Sequence, residues 1–179
     1  MMPTRSPSPV PELPVRRRHR LPLASYADPH RIFMFTLCAR HHGTPFTRDA
    51  LASDVVEALL WRKERHAWIM YCYCLMPDHL HFVVQPSQAE PGMHSAGARG
   101  WVATSLLDQI GAFKRYTTVQ VWHRHGGTGP LWQRSSYDHA LRADEPIDGA
   151  VHYVLNNPVR RGLVARWEDY PYSAIVDQW

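Results

Sequence analysis

The sequence predicts an α+β domain: an antiparallel sheet with helices packed on one face. Three observations predict it. Apolar periodicities run in the order strand, helix, strand, strand, helix, strand, helix. Two strand-like runs, 67–75 and 79–85, are separated only by Met76-Pro77-Asp78, a corner short enough for a hairpin. The chain has 179 residues, 45% of them hydrophobic, which is enough for one domain with a real core.

Residues 1–24 read as a disordered tail, because Pro3, Pro7, Pro9, Pro11, Pro14 and Pro22 break regular structure. Arg16, Arg17, Arg18 and Arg20 cluster there around His19, as a solvated arm or as phosphate contacts. The domain then occupies residues 25–179. Residues 31–38 read as a first strand, rich in aromatic and apolar side chains. Residues 47–66 follow, with Leu51, Val55, Ala58 and Leu59 at helical spacing. The hairpin comes next, and 86–97 reads as a loop. A second helix is expected over 98–118, on the stripe Val102, Leu106, Ile110 and Phe113. Residues 131–142 read as a last strand. A third helix is expected over 144–157, with Asp144 as a cap, Pro146 in its first turn and Asn156-Asn157-Pro158 ending it. The remainder reads as a short packed tail. This order suits a split βαβ, ferredoxin-like sheet.

Composition excludes several classes. No apolar run is long enough to span a bilayer, and no apolar segment marks a secretory signal. Cys38, Cys72 and Cys74 are odd in number and form no Cys-x-x-Cys, so they read as reduced thiols in a cytoplasmic protein. The formal charge of +4 and a pI near 9.1 favour an anionic partner. No His-Glu-x-x-His is present, which removes a common zinc-hydrolase pattern.

The chemistry concentrates in two places. In the second hairpin strand, His79 and His81 flank Leu80, so strand alternation points both imidazoles to one face. Two imidazoles on a rigid strand make most of a divalent-metal site, with Asp78 directly before them. On the third helix, Ile147, Val151 and Val154 form the apolar stripe. At roughly 100° per residue, Tyr153 and Asn157 lie together, one turn apart and away from that stripe. A phenol is a possible nucleophile and an amide oxygen a possible metal ligand. A metal held by two imidazoles and an amide can polarise a phosphate oxygen and orient attack on it.

At this point a resemblance emerges. Pro77-Asp78-His79-Leu80-His81 resembles the histidine–hydrophobic–histidine signature of single-tyrosine DNA transposases. Residues 153–163, Tyr-Val-Leu-Asn-Asn-Pro-Val-Arg-Arg-Gly-Leu, resemble the tyrosine helix of REP-associated tyrosine transposases. Phe113-Lys114-Arg115-Tyr116-Thr117 and Trp132-Gln133-Arg134-Ser135-Ser136-Tyr137-Asp138 also look like that branch. The resemblance covers residues 25–175. It implies a ferredoxin-like domain that nicks single-stranded, hairpin-bearing DNA and transfers strands through a covalent 5′-phosphotyrosine. It implies Tyr153 as nucleophile, His79 and His81 as ligands of Mg²⁺ or Mn²⁺, and Asn157 in a third-ligand position often held by glutamine. Its substrates would be imperfect palindromes with single-stranded guide bases, and its location the nucleoid. Monomer and homodimer both stay open, with the site formed within one chain or across two.

For DNA contacts the candidates are the tail arginines, Lys114, Arg115, Arg134, Arg160 and Arg161. Tyr116 and Tyr137 compete with Tyr153 as nucleophile or serve as base-stacking rings. His123-Arg124-His125 reads as a surface element. The alternative class is a non-catalytic ferredoxin-like module that binds single-stranded nucleic acid on its sheet.

Overall fold

The computed structural model describes residues 21–66, 68–86 and 105–179. Its strands are β1 (Phe33–Cys38), β2 (Ile69–Met76), β3 (His79–Gln85), β4 (Tyr137–Ala140) and β5 (Ser173–Ile175). Its helices are α1 (Asp49–His66), α2 (Leu106–His125), α3 (Ile147–Leu155) and the short α4 (Asn157–Arg160). One five-stranded antiparallel sheet has the order β4-β1-β3-β2-β5. Strands β1 and β2 are thus split by β3, as the expected ferredoxin-like topology requires. Among the described residues, no helix is long and apolar enough to cross a membrane.

Alternation along each strand sorts side chains into two cores. Phe33, Phe35 and Leu37 of β1 and Leu80, Phe82 and Val84 of β3 face α1 and α2. The opposite face carries Cys72, Cys74, Met76 and Val83, packed against Val151, Val154 and Leu155 of α3. The two long helices share one face as expected, while α3 lies on the other. The reason is visible in the sequence of β2 and β3. β2 is apolar on both faces, and β2 and β3 are buried nearly throughout, so the sheet centre needs cover from both sides.

Several boundaries differ from expectation. Helix α2 starts after a Ser105 cap whose side chain accepts from the Asp108 amide, and it runs to His125, beyond the expected end at 118. The β-branched run Thr117-Thr118-Val119 does not break it. Both threonine hydroxyls donate back to carbonyls one turn earlier, at 2.8 Å for Thr117 to Phe113 and 2.7 Å for Thr118 to Lys114. The extra turns let Arg124 and His125 each reach Asp54 of α1 at 2.7 Å. The helix stops at Gly126-Gly127. At Gly127, with φ of 140°, a Cβ would come within 2.4 Å of the Trp122 ring. The expected helical stretch 98–104 lies outside the described residues.

Strand β4 is only four residues long, and the segment before it meets the chain just after β1 at an isolated bridge, Ala39 to Trp132. Helix α3 begins at Ile147 with Pro146, not Asp144, at the cap position. The tail after α4 supplies β5, which the sequence reading passed over. Residues 1–20, with the arginine cluster Arg16, Arg17, Arg18 and Arg20, lie outside the described residues. Leu21 already packs against the larger core, and Tyr26 is fully buried.

Phe35 stands fully buried at the centre of the larger core, its ring stacked 5.5 Å from Phe82. Phe35→Ala is expected to lower stability by about 3–5 kcal/mol, through lost apolar burial and a residual cavity. Urea denaturation followed by far-UV circular dichroism measures it.

Candidate active site

Strand β3 brings His79 and His81 to the α3 face of the sheet, their rings 4.5 Å apart and edge to face. Each imidazole is oriented by a bond at Nδ1. Asp78 Oδ1 lies 2.7 Å from Nδ1 of His79, and Thr36 Oγ1 lies 2.8 Å from Nδ1 of His81. That leaves both Nε2 atoms available to a ligand. Thr36 sits directly opposite His81 in the antiparallel register, so the pairing of β1 with β3 places it there. Thr36 was not singled out from sequence. Its signal is a lone hydroxyl within an otherwise apolar strand.

The electrostatics keep the pair neutral near pH 7. Burial pushes the His81 pKa down to about 3, and the neighbouring His79 adds to the effect. Burial also lowers His79, although the Asp78 carboxylate opposes it. At Asp78 itself burial favours the neutral form, but the His79 ring and Arg161 outweigh it and hold the carboxyl below its ordinary value. Neutral imidazoles with Nδ1 anchored are the form that binds a divalent cation.

Helix α3 sets Tyr153 against this pair. Its ring lies edge-on to His81, 6.0 Å between centroids, and is half-buried. The guanidinium carbon of Arg160 stands 4.9 Å from the Tyr153 ring centroid. Arg161 reaches Asp78 at 3.4 Å, tying the segment after α3 to the corner before β3. Both arginines therefore border the tyrosine and histidines.

Asn157 is buried just beyond α3. Its amide nitrogen donates to the carbonyls of Tyr153 at 2.9 Å and Val154 at 3.2 Å. It thus caps the carbonyl end of the tyrosine helix and leaves its Oδ1 for another partner. Among the described residues, no group of three or more His, Cys, Asp or Glu side chains is arranged to hold a metal. The donors that could hold a divalent cation here are the two Nε2 atoms, with the Asn157 amide oxygen as a third candidate. Cys72 and Cys74 are buried, with thiols pushed up to about 12 by burial, and are inert.

The other sequence candidates disperse. Tyr116 lies on α2, across the sheet from the histidines, stacked 6.1 Å from Trp61. Arg115 is exposed on the same helix. The Lys114 ammonium donates to the carbonyls of Arg134 at 3.0 Å and Ser135 at 3.2 Å, so it fastens the segment before β4. Arg134 is exposed on that segment. Tyr137 begins β4 opposite Thr36, which puts it on the histidine face.

The fold and this cluster define a ferredoxin-like α+β domain with a histidine pair and a tyrosine on one sheet face. No protein-family model matches the chain. It is 22% identical over 144 residues to a Haemophilus influenzae protein assigned as a REP-associated tyrosine transposase, covering 80% of this chain and 78% of that one. A solved structure of a REP-associated tyrosine transposase bound to a REP hairpin matches with a TM-score of 0.60 at 18% identity, over 90% of this chain and 82% of that one. The chain resembles the REP-associated tyrosine transposases in sequence and in fold.

Two outcomes follow. Asn157→Ala removes two hydrogen bonds at the end of α3 and is expected to cost about 1–2 kcal/mol in a urea titration. Acidification should destabilise the metal-free protein through His81. Its ordinary pKa is 6.5 and its folded value about 3, so below pH 6.5 the unfolded chain takes a proton that the folded chain refuses. Between pH 6.5 and pH 5 that amounts to about 2 kcal/mol lost. In His81→Gln the same urea series should show a correspondingly flatter pH dependence.

Proposed function

We propose that the chain is a metal-dependent, single-tyrosine DNA endonuclease and strand transferase acting on hairpin-bearing DNA. The observation that carries this reading is the approach of the Tyr153 ring to His81 within one chain, beside two imidazoles whose Nε2 atoms are open. A binding-only module has no use for that combination. The similar solved structure, a REP-associated tyrosine transposase bound to a REP hairpin, supports a hairpin as the DNA partner.

In this reading Tyr153 Oη attacks the scissile phosphorus. The bond from phosphorus to the 3′ oxygen breaks, the 3′ end leaves as a hydroxyl, and the 5′ phosphate stays on the tyrosine. The phenolic proton is given up to solvent, and the 3′ oxygen takes one. The phosphotyrosine retains the bond for rejoining to another 3′ hydroxyl. His79, His81 and Asn157 would hold Mg²⁺ or Mn²⁺. The ion supplies charge neutralisation on a non-bridging phosphate oxygen. Asp78 and Thr36 keep the two imidazoles in the ligating tautomer and orientation. Arg160, over the phenol ring, steadies the nucleophile and adds positive charge where the phosphate would sit.

The test is a denaturing gel. Protein is incubated with 5′- and 3′-labelled single-stranded hairpin DNA taken from beside its own gene, with and without Mn²⁺ or Mg²⁺. A protein–DNA adduct is expected that needs the metal and is absent in Tyr153→Phe. An adduct persisting in Tyr153→Phe would transfer the role to another tyrosine. Tight binding with no adduct would favour the non-catalytic module. Asp78→Asn should weaken Mn²⁺ binding roughly ten- to hundredfold by calorimetry, because His79 loses its orienting carboxylate.

A further inference from the structure

We propose that the Pro-rich stretch 7–14 of this chain docks on an exposed aromatic platform, formed by Trp61 and Tyr116 on the outer surface of α1 and α2. The proposal is independent of the DNA chemistry. It concerns the face of the molecule away from the histidine pair.

The platform is anomalous for a helix surface. Among the described residues, the large apolar side chains left exposed on α1 and α2 are Trp61, Tyr116 and Val119, at 52%, 39% and 64%. They gather in one place. The Trp61 and Tyr116 rings stack across the helix pair, 6.1 Å between centroids and 16° between planes. Val119 lies one turn beyond Tyr116 on the same side of α2. The Arg62 guanidinium carbon lies 5.8 Å from the Trp61 ring and 5.7 Å from the Tyr116 ring. Arg65, one turn after Trp61, and Arg115, next to Tyr116, are exposed. The core beneath is already filled from these helices by Val55, Leu59, Ile110 and Phe113. Single exposed apolar residues are ordinary, but a stacked pair of rings with a third apolar neighbour and arginines around it is an interaction surface.

The chain's own path supplies the occupant. Leu21, where the described chain begins, packs against the core under α1 and α2, and the following turn, Leu23–Ala27, packs against α2. The residues before Leu21 therefore leave the domain on the helix side of the sheet. Pro14 stands seven residues before Leu21 and Pro11 ten, distances that an extended chain spans as about 22 and 31 Å. Helix α2, with 20 residues, is about 30 Å long. The stretch thus reaches any point along α2 without passing to the other face.

Its chemistry fits the platform. Residues 7–14 read Pro-Ser-Pro-Val-Pro-Glu-Leu-Pro. Prolines hold the polyproline II conformation in advance, so docking costs little ordering entropy, and aromatic-lined surfaces take Pro-x-x-Pro segments in this form. At three residues per turn, Pro11 and Pro14 share one edge, Val10 and Leu13 the next, and Glu12 lies on the third. The proline edge meets the rings, and Glu12 meets the bordering arginines. Tethering makes a weak contact sufficient. At an effective concentration of about 1 mM, a Kd of about 0.1 mM leaves roughly nine chains in ten docked. Docked in this way, Arg16, Arg17, Arg18 and Arg20 run between the platform and Leu21, on the helix side and away from His79 and His81.

The test uses the full chain and the indole N–H signal of Trp61 in NMR spectra, identified by its loss in Trp61→Phe. The double variant Pro11→Ala/Pro14→Ala is expected to move that signal, and Pro3→Ala to leave it in place. A synthetic peptide of residues 6–15, added to the double variant, should return the signal toward its original position. Tyr116→Ala in the same background should weaken the peptide at least about tenfold, whereas Tyr116→Phe keeps it. The proline variants and the peptide leave the platform itself unaltered, so they decide the question even if Tyr116→Ala fails to fold. A Trp61 signal indifferent to Pro11→Ala/Pro14→Ala overturns the proposal, as does an equal response to Pro3→Ala. A signal whose position changes with protein concentration also overturns it, by giving the platform to a second copy of the chain.

Discussion

The pairing of β3 between β1 and β2 is the constraint on which the rest depends. A one-residue slip would turn His79 and His81 into the larger core and expose Leu80 and Phe82. That slip is prevented by apolar packing on both faces: Leu80, Phe82 and Val84 against the long helices, and Val83 with the cysteines against α3. The same register sets Thr36 opposite His81, so one strand pairing both aims the imidazole and supplies the group that orients it. The cost of burying two imidazoles is met by keeping them neutral and hydrogen-bonded.

Around that strand the two faces have divided tasks. The face toward α1 and α2 is an aromatic core, with Tyr26, Phe33, Phe35, Phe82 and Trp68 in contact. The other face carries polar and titratable groups at its edge and a thinner apolar layer under α3. Helix α3 is short, and tertiary packing stabilises it more than its own hydrogen bonds do. Asn157 closes its carbonyl end, and the Arg161–Asp78 contact draws the following turn toward the histidine corner. The exposed ion pair contributes little energy on its own. Its value is positional, since it joins the tyrosine-bearing segment to the strand that carries the histidines.

Basic residues illustrate how a charge in the sequence acquires a role. Lys114 and Arg115 are neighbours and read alike as phosphate contacts. In the fold, Lys114 serves as a brace for the segment carrying Arg134, while Arg115 remains at the surface of α2. Arg160 and Arg161 are also neighbours, and they reach different parts of one site, the phenol ring and the Asp78 carboxylate.

Much was legible from the sequence because it is local. Alternation alone placed His79 and His81 on one face, and the order of periodicities implied the split βαβ sheet. These follow from backbone geometry over a few residues. The tertiary structure decided what depends on contacts distant in the chain. It placed α3 over the histidines, opposite the long helices. It brought Thr36 to His81 across 45 residues and Arg161 to Asp78 across 83. It extended α2 through a threonine pair and found a fifth strand in the tail. It also put Tyr137 in the same row as His81, because β4 pairs with β1, and no periodicity within either segment records which edge a strand will join.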